Sequence, residues 1–145
     1  MLKILIAEDN DMLASLFKDY LSQVGFDVVG VARTVGDAVD LAITHQPDVA
    51  VVDYRIGSRL GTEIVRQLPL TSRPAILYLS GEPLGRVLTK ADGEGFIQKP
   101  VSLDDLAKAL SLAWQIRSNS VAASQPVPAR FFTLGLEPTL SQRFA

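Results

Sequence analysis

The stretch Asp48-Val49-Ala50-Val51-Val52-Asp53 constrains this chain more than any other. Its four consecutive apolar residues, three of them β-branched, fit a short strand buried on both faces. Only a sheet covered on both sides offers such a place. Pro47 and Asp48 stop whatever helix comes before. Asp53 then stands where the strand leaves the core, and in open α/β sheets that edge is where ligands bind. A lone acid there could be a simple cap. Asp53 is not alone.

Other short apolar runs end in the same way. Ile4-Leu5-Ile6-Ala7 closes on Glu8 and Asp9, Ala75 to Leu79 closes on Ser80, and Gly95 to Gln98 is followed by Lys99-Pro100. Asp27 to Ala32 is a further, more amphipathic strand. Between them the apolar spacing turns helical. Leu13, Leu16, Phe17, Tyr20, Leu21 and Val24 form one stripe, stopped by Gly25. Thr34 with Asp37 caps a second helix, striped by Val35, Ala38, Val39, Ala42 and Ile43. The loop after Asp53 has Gly57 and Gly61 as its flexible points, and a short helix over Thr62 to Leu68 ends at Pro69. Ser102 with Asp105 caps the last helix, whose stripe is Leu103, Leu106, Ala109, Leu110, Ala113 and Ile116. From Glu82 to Glu94, Pro83, Gly85 and Gly93 leave any helix short and weakly specified.

Strand and helix therefore alternate five times. This predicts an α/β fold over residues 1–117, a three-layer, doubly wound, five-stranded parallel sheet with helices on both faces. Residues 118–145 read as a Pro/Ser/Ala-containing linker and an apolar tail, with no effector domain attached. The tail carries Phe131, Phe132, Leu134, Leu136, Leu140 and Phe144 among few charges. Left in water, these would be an aggregation liability. A stiff Pro126-Val127-Pro128 spacer favours an arm exchanged between two copies, a homodimer, over a segment folded back.

Composition narrows the function. With 145 residues and 48% hydrophobic content the chain can bury a real core. A net charge of −2 gives no basic footprint for nucleic acid or an anionic membrane surface. No run approaches the roughly 18 apolar residues of a membrane span, and the N-terminus does not read as a signal peptide. A cytoplasmic protein is the expectation. The absence of cysteine excludes disulfides, thiolate metal sites and thiol nucleophiles.

Parallel strands bring Glu8, Asp9, Asp53, Ser80 and Lys99 to one edge of the sheet. Crowded carboxylates repel each other and call for a hard divalent cation, and Mg²⁺ takes such oxygens alongside phosphate. A lysine opposite them is a point charge suited to a phosphoryl oxygen. Together these groups could carry a phosphoryl group on a carboxylate as an acyl phosphate. His45 reads as a surface helix residue and Trp114 as partly buried under the tail. Asp104 and Asp105 read as partners of a helix dipole.

On these residues the chain resembles the receiver domain of two-component response regulators, over Met1 to about Arg117. The resemblance implies a flavodoxin-like topology and, for the site, Asp53 as phosphoacceptor. Glu8, Asp9 and Asp53 would hold Mg²⁺ together with the backbone carbonyl of Arg55. Ser80 matches the family's switch hydroxyl, Lys99 its lysine before a typically cis Pro100, and Phe96 its switch aromatic. A sensor histidine kinase or histidine phosphotransfer protein would supply the phosphoryl group, and an unidentified downstream protein would receive the signal. Such a domain is not a turnover enzyme. Departures are Ile56-Gly57 in the loop after the acceptor, a phenylalanine where tyrosine is commoner, and a short stretch from Ser80 to Phe96. Arg55 is expected to pair with Glu82 over the site mouth and gate water. Two rivals follow: a degenerate receiver that only binds, and a haloacid-dehalogenase-type phosphatase using Asp9-x-Asp11 with Asp104 and Asp105.

Overall fold

The computed structural model describes residues 1–119 and 127–135. Strands β1 (Lys3–Ala7), β2 (Asp27–Ala32) and β3 (Val49–Asp53) alternate with helices α1 (Asp11–Gln23) and α2 (Val35–His45). A two-stranded ribbon of β4 (Arg55–Ile56) and β5 (Arg59–Leu60) follows, then α3 (Thr62–Gln67) and a 3₁₀ turn at Leu70–Ser72. The chain continues through β6 (Ala75–Ser80), β7 (Gly95–Gln98), α4 (Leu103–Ser118) and β8 (Phe131–Thr133).

The main sheet runs in the order β2-β1-β3-β6-β7-β8. Its first five strands are parallel, as expected, and in the flavodoxin-like order. Both faces are covered because the strand residues alternate between two cores. Leu5, Ala7, Ala50 and Val52 pack with Val35, Ala38, Ala42, Ile64 and Val65 of α2 and α3. Ile4, Ile6, Val49 and Val51 pack with Phe17, Leu21, Leu106 and Leu110 of α1 and α4. Period-two alternation with apolar residues on both sides is what a doubly covered strand requires.

Helix starts obey local chemistry. Thr34 Oγ1 accepts from the Asp37 amide at 3.1 Å and Ser102 Oγ from the Asp105 amide at 3.1 Å, each satisfying an otherwise orphan donor. The stripes of α1 and α2 are narrower than the sequence implies. Leu16 and Ile43, expected to pack, are about half exposed. Each follows or precedes the buried line by one residue, a step of about 100° around the helix. His45 is exposed at the end of α2, and Trp114 is partly buried against the α1/α4 core.

The sheet departs from the five-strand expectation by one strand. β8 lies antiparallel on β7, pairing Gly95 with Thr133, Phe96 with Phe132 and Ile97 with Phe131. Residues 81–94 form turns rather than a helix. Phe131 enters the α1/α4 core and Leu134 the α2/α3 core, one on each side of the sheet. This part of the tail folds back on its own chain, where the stiff spacer had suggested an exchanged arm. Gly95 permits this close approach: a Cβ there would lie 2.8 Å from the Phe131 ring. Leu136, Leu140, Phe144 and most of the linker lie outside the described residues.

Candidate functional site

β1 and β3 are neighbours, with β2 and β6 on their outer sides, so the crossovers diverge between them. This is the switch point at which an open α/β sheet forms a crevice. Glu8 and Asp9 leave the end of β1 and Asp53 ends β3. Carboxylate oxygens of all three lie within 4.8 Å of one another.

Each carboxylate is held differently. Asp53 Oδ2 receives the Lys99 ammonium at 3.4 Å, and its Oδ1 receives the Arg55 amide, also at 3.4 Å. Asp9 Oδ2 accepts from the Gly57 amide at 2.8 Å. Glu8 is buried, and its Oε2 has no hydrogen-bond partner. Burial, then the hydrogen bond and charge of Asp53, push the Glu8 carboxyl up to about 8. Three crowded acids cannot all ionise cheaply, and Glu8 keeps its proton. An orphaned buried oxygen beside two further carboxylates fits a hard divalent cation, whose charge would remove both the repulsion and the unmet acceptor. The Arg55 peptide flanks the same point through its amide.

Lys99 is placed by strand pairing. β7 ends one residue before it, the Lys99 amide donates to Ser80 O at 2.7 Å, and the Lys99–Pro100 peptide is cis. Ser80, at the end of β6, is engaged elsewhere: its Oγ donates to Glu82 O at 2.8 Å and accepts the Glu82 amide at 3.0 Å. A hydroxyl in that turn must rotate before it can donate to a group on Asp53. Phe96 is buried and stacked on Phe132, with ring centroids 5.1 Å apart at 24°.

A cleft of about 340 Å³ opens between Asp53, Arg55, Ser80, Glu82 and Lys99. Over its mouth Arg55 Nε pairs with Glu82 Oε1 at 2.8 Å, both side chains being about half exposed or more. This is the pair expected from the sequence. Arg55 also lies 5.5 Å from the centre of the Tyr54 ring, which holds the side chain along the rim.

Of the acids of the phosphatase alternative, Asp9 lies in the site, but Asp11 and Asp104 are engaged elsewhere. Asp11 pairs with Arg33 at 2.9 Å and Asp104 with Lys108 at 3.0 Å, both pairs being exposed. Two supporting glycines escaped the sequence reading except as flexible points. Gly57, at φ +59°, presents its amide to Asp9. Gly61 sits so close beneath Asp53 that a Cβ would fall 2.5 Å from the Asp53 carbonyl oxygen. Their regular spacing after the acid was the available signal. Arg130, whose Nη1 donates to Lys99 O at 3.1 Å, was missed entirely because it belongs to the tail.

Residues 4–111 match the family described as the response regulator receiver domain. Among curated relatives, the transcriptional regulatory protein PdtaR of Mycobacterium tuberculosis is 28% identical over 114 residues, 77% of this chain and 56% of the relative. DesR of Bacillus subtilis, also a transcriptional regulatory protein, is 31% identical over 113 residues, 76% of this chain and 57% of the relative. The chain thus spans about half the length of the curated relatives it matches. Among solved structures, the signal receiver domain of a modulated diguanylate cyclase from Desulfovibrio desulfuricans G20 aligns with a TM-score of 0.71 at 26% identity. That alignment covers 83% of this chain and 99% of the other. A response regulator receiver domain protein from Clostridium thermocellum gives 0.72 at 21% identity, covering 83% and 100%, and supports the fold.

Proposed function

The chain belongs to the response regulator receiver domain family, and from that premise we propose that it works as a phosphoacceptor switch with Asp53 as the acceptor. The observation that carries this reading is the meeting of Glu8, Asp9 and Asp53 within 4.8 Å while the Lys99 ammonium reaches Asp53 at 3.4 Å.

The donor is a phosphohistidine on a histidine kinase or phosphotransfer protein. An Asp53 carboxylate oxygen attacks phosphorus, the P–N bond breaks, and the imidazole nitrogen keeps the bonding pair and takes a proton from solvent. An acyl phosphate remains on Asp53. Glu8, Asp9 and Asp53, with the Arg55 carbonyl, would hold Mg²⁺, which when bound neutralises charge on the phosphoryl oxygens. Lys99 places a fixed ammonium against those same oxygens. Ser80 gives up its bond to Glu82 O and donates to one of them. Water attack on phosphorus later returns inorganic phosphate and restores the carboxylate. The Arg55–Glu82 pair gates that water.

Output passes through a downstream protein. Among the described residues no helix is long and apolar enough to cross a membrane. Incubation with acetyl phosphate and Mg²⁺ should add one phosphoryl group, seen by intact mass, that Asp53→Asn abolishes. A label that survives this substitution overturns the assignment.

A further inference from the structure

Arg130 grips the turn after β7 at two points. Its Nη1 donates to the Lys99 carbonyl at 3.1 Å, and its own carbonyl accepts from the Gln98 amide at 3.0 Å. From the other side the Lys99 amide donates to Ser80 O at 2.7 Å. The backbone of Lys99 is thus held between β6 and the approach to β8, while its ammonium reaches Asp53 at 3.4 Å.

The strand that follows Arg130 is itself anchored on both sides of the sheet. Phe131 fills the space that Gly95 leaves, Phe132 stacks on Phe96, and the Leu134 amide donates to Glu94 O at 3.0 Å. A lysine ammonium is a point charge on a flexible four-carbon stem, so where it acts depends on where its backbone is fixed. Here that fixing comes partly from a residue 31 positions further along the chain. The pairing of Ile97 with Phe131 and Phe96 with Phe132 brings it there.

We propose that β8, through Arg130, is a positioning element of the phosphoryl site: it fixes the Lys99 backbone so that the ammonium is aimed at Asp53. Coupling between two sites is reciprocal, so a phosphoryl group that anchors Lys99 must in turn tighten β8 on β7. This inference rests on the reading of Asp53 as the acceptor.

The test uses the full chain, Arg130→Ala and Arg130→Lys. Arg130 is exposed, so neither substitution disturbs the core. Arg130→Ala should slow phosphorylation by acetyl phosphate roughly tenfold, within the ~100-fold that a ~1 Å misplacement can cost. Arg130→Lys, which can still donate to the Lys99 carbonyl, should recover most of the rate. Beryllofluoride with Mg²⁺ should slow amide exchange across Phe131–Thr133 in the parent protein and leave it unchanged in Arg130→Ala. A parent-like rate in Arg130→Ala, or exchange in β8 indifferent to beryllofluoride, overturns the proposal. If Asp53 is labelled at the same rate in both proteins, only the role of β8 falls. If the parent protein takes no phosphoryl group on Asp53, the acceptor reading falls and this proposal with it.

Discussion

At the carboxyl edge of the sheet Glu8 keeps a buried oxygen without a partner, whereas at the amino edge Glu94, also largely enclosed, has both oxygens engaged. Glu94 Oε2 accepts the Ile76 amide at 2.6 Å and Oε1 the Arg117 guanidinium at 3.0 Å. Arg117 also donates to Pro74 O and Arg73 O, tying the end of α4 to the start of β6. The amino edge even has the larger hollow, about 600 Å³ against about 340 Å³. Size is therefore a poor guide here. A buried carboxyl with all its bonds made holds a fold together, and one left open is available for chemistry.

The sharpest way to break this contrast is to compare the consequences of mutation at the two edges. Lys99→Met should slow phosphoryl transfer by ~10²–10³-fold, the usual cost of losing one charge-stabilising donor. Its thermal midpoint should change little. Arg117→Met should do the reverse, lowering stability by about 2–3 kcal/mol because a partly enclosed Glu94 loses a charged partner, with the phosphorylation rate unchanged. Denaturant titration and intact-mass kinetics on both variants decide the matter, and a rate loss in Arg117→Met would erase the distinction.

A smaller effect should appear with pH. Glu8 has a folded pKa of about 8, above the ordinary carboxylate value of 4.5, so the folded state binds the extra proton. Stability of the metal-free protein is then fullest below about 4.5 and declines as pH rises through about 8. Glu8→Gln should flatten that decline. Mg²⁺ should flatten it too, releasing a proton on binding. A metal-free protein equally stable at both ends of this window would count against the open carboxylate. The smallest expected change is in Arg55→Ala. The exposed pair with Glu82 should leave the unfolding midpoint where it was, because solvent screens it. The lifetime of phosphorylated Asp53 should shift, and equal lifetimes would remove the gating role.

Most of the parallel sheet was legible because its signals are local. Ile4 to Ala7 and Val49 to Val52 are apolar throughout, and Thr34 and Ser102 announce helix starts by their own hydrogen bonds. The site was legible for a related reason: strand ends place Glu8, Asp9, Asp53, Ser80 and Lys99 on one edge once the strands are parallel. What escaped depends on contacts distant in sequence. No pattern near Arg130 says that it meets Lys99, and nothing near Gly95 says that its missing side chain makes room for Phe131. The exposed Leu16 and Ile43 show a third limit, since an apolar residue one step off the buried line reads the same as one on it.

The position of β8 bears on how the molecule is made. An uncovered strand edge is a template for pairing with other chains. β8 leaves the ribosome after β7, with the whole of α4 between them. Until Phe131–Thr133 emerges, the Gly95–Gln98 edge stands open on a nascent domain whose parallel strands are already able to pair. Once paired, β8 becomes the edge itself, and its 3 residues offer other chains a shorter template than the 4 of β7.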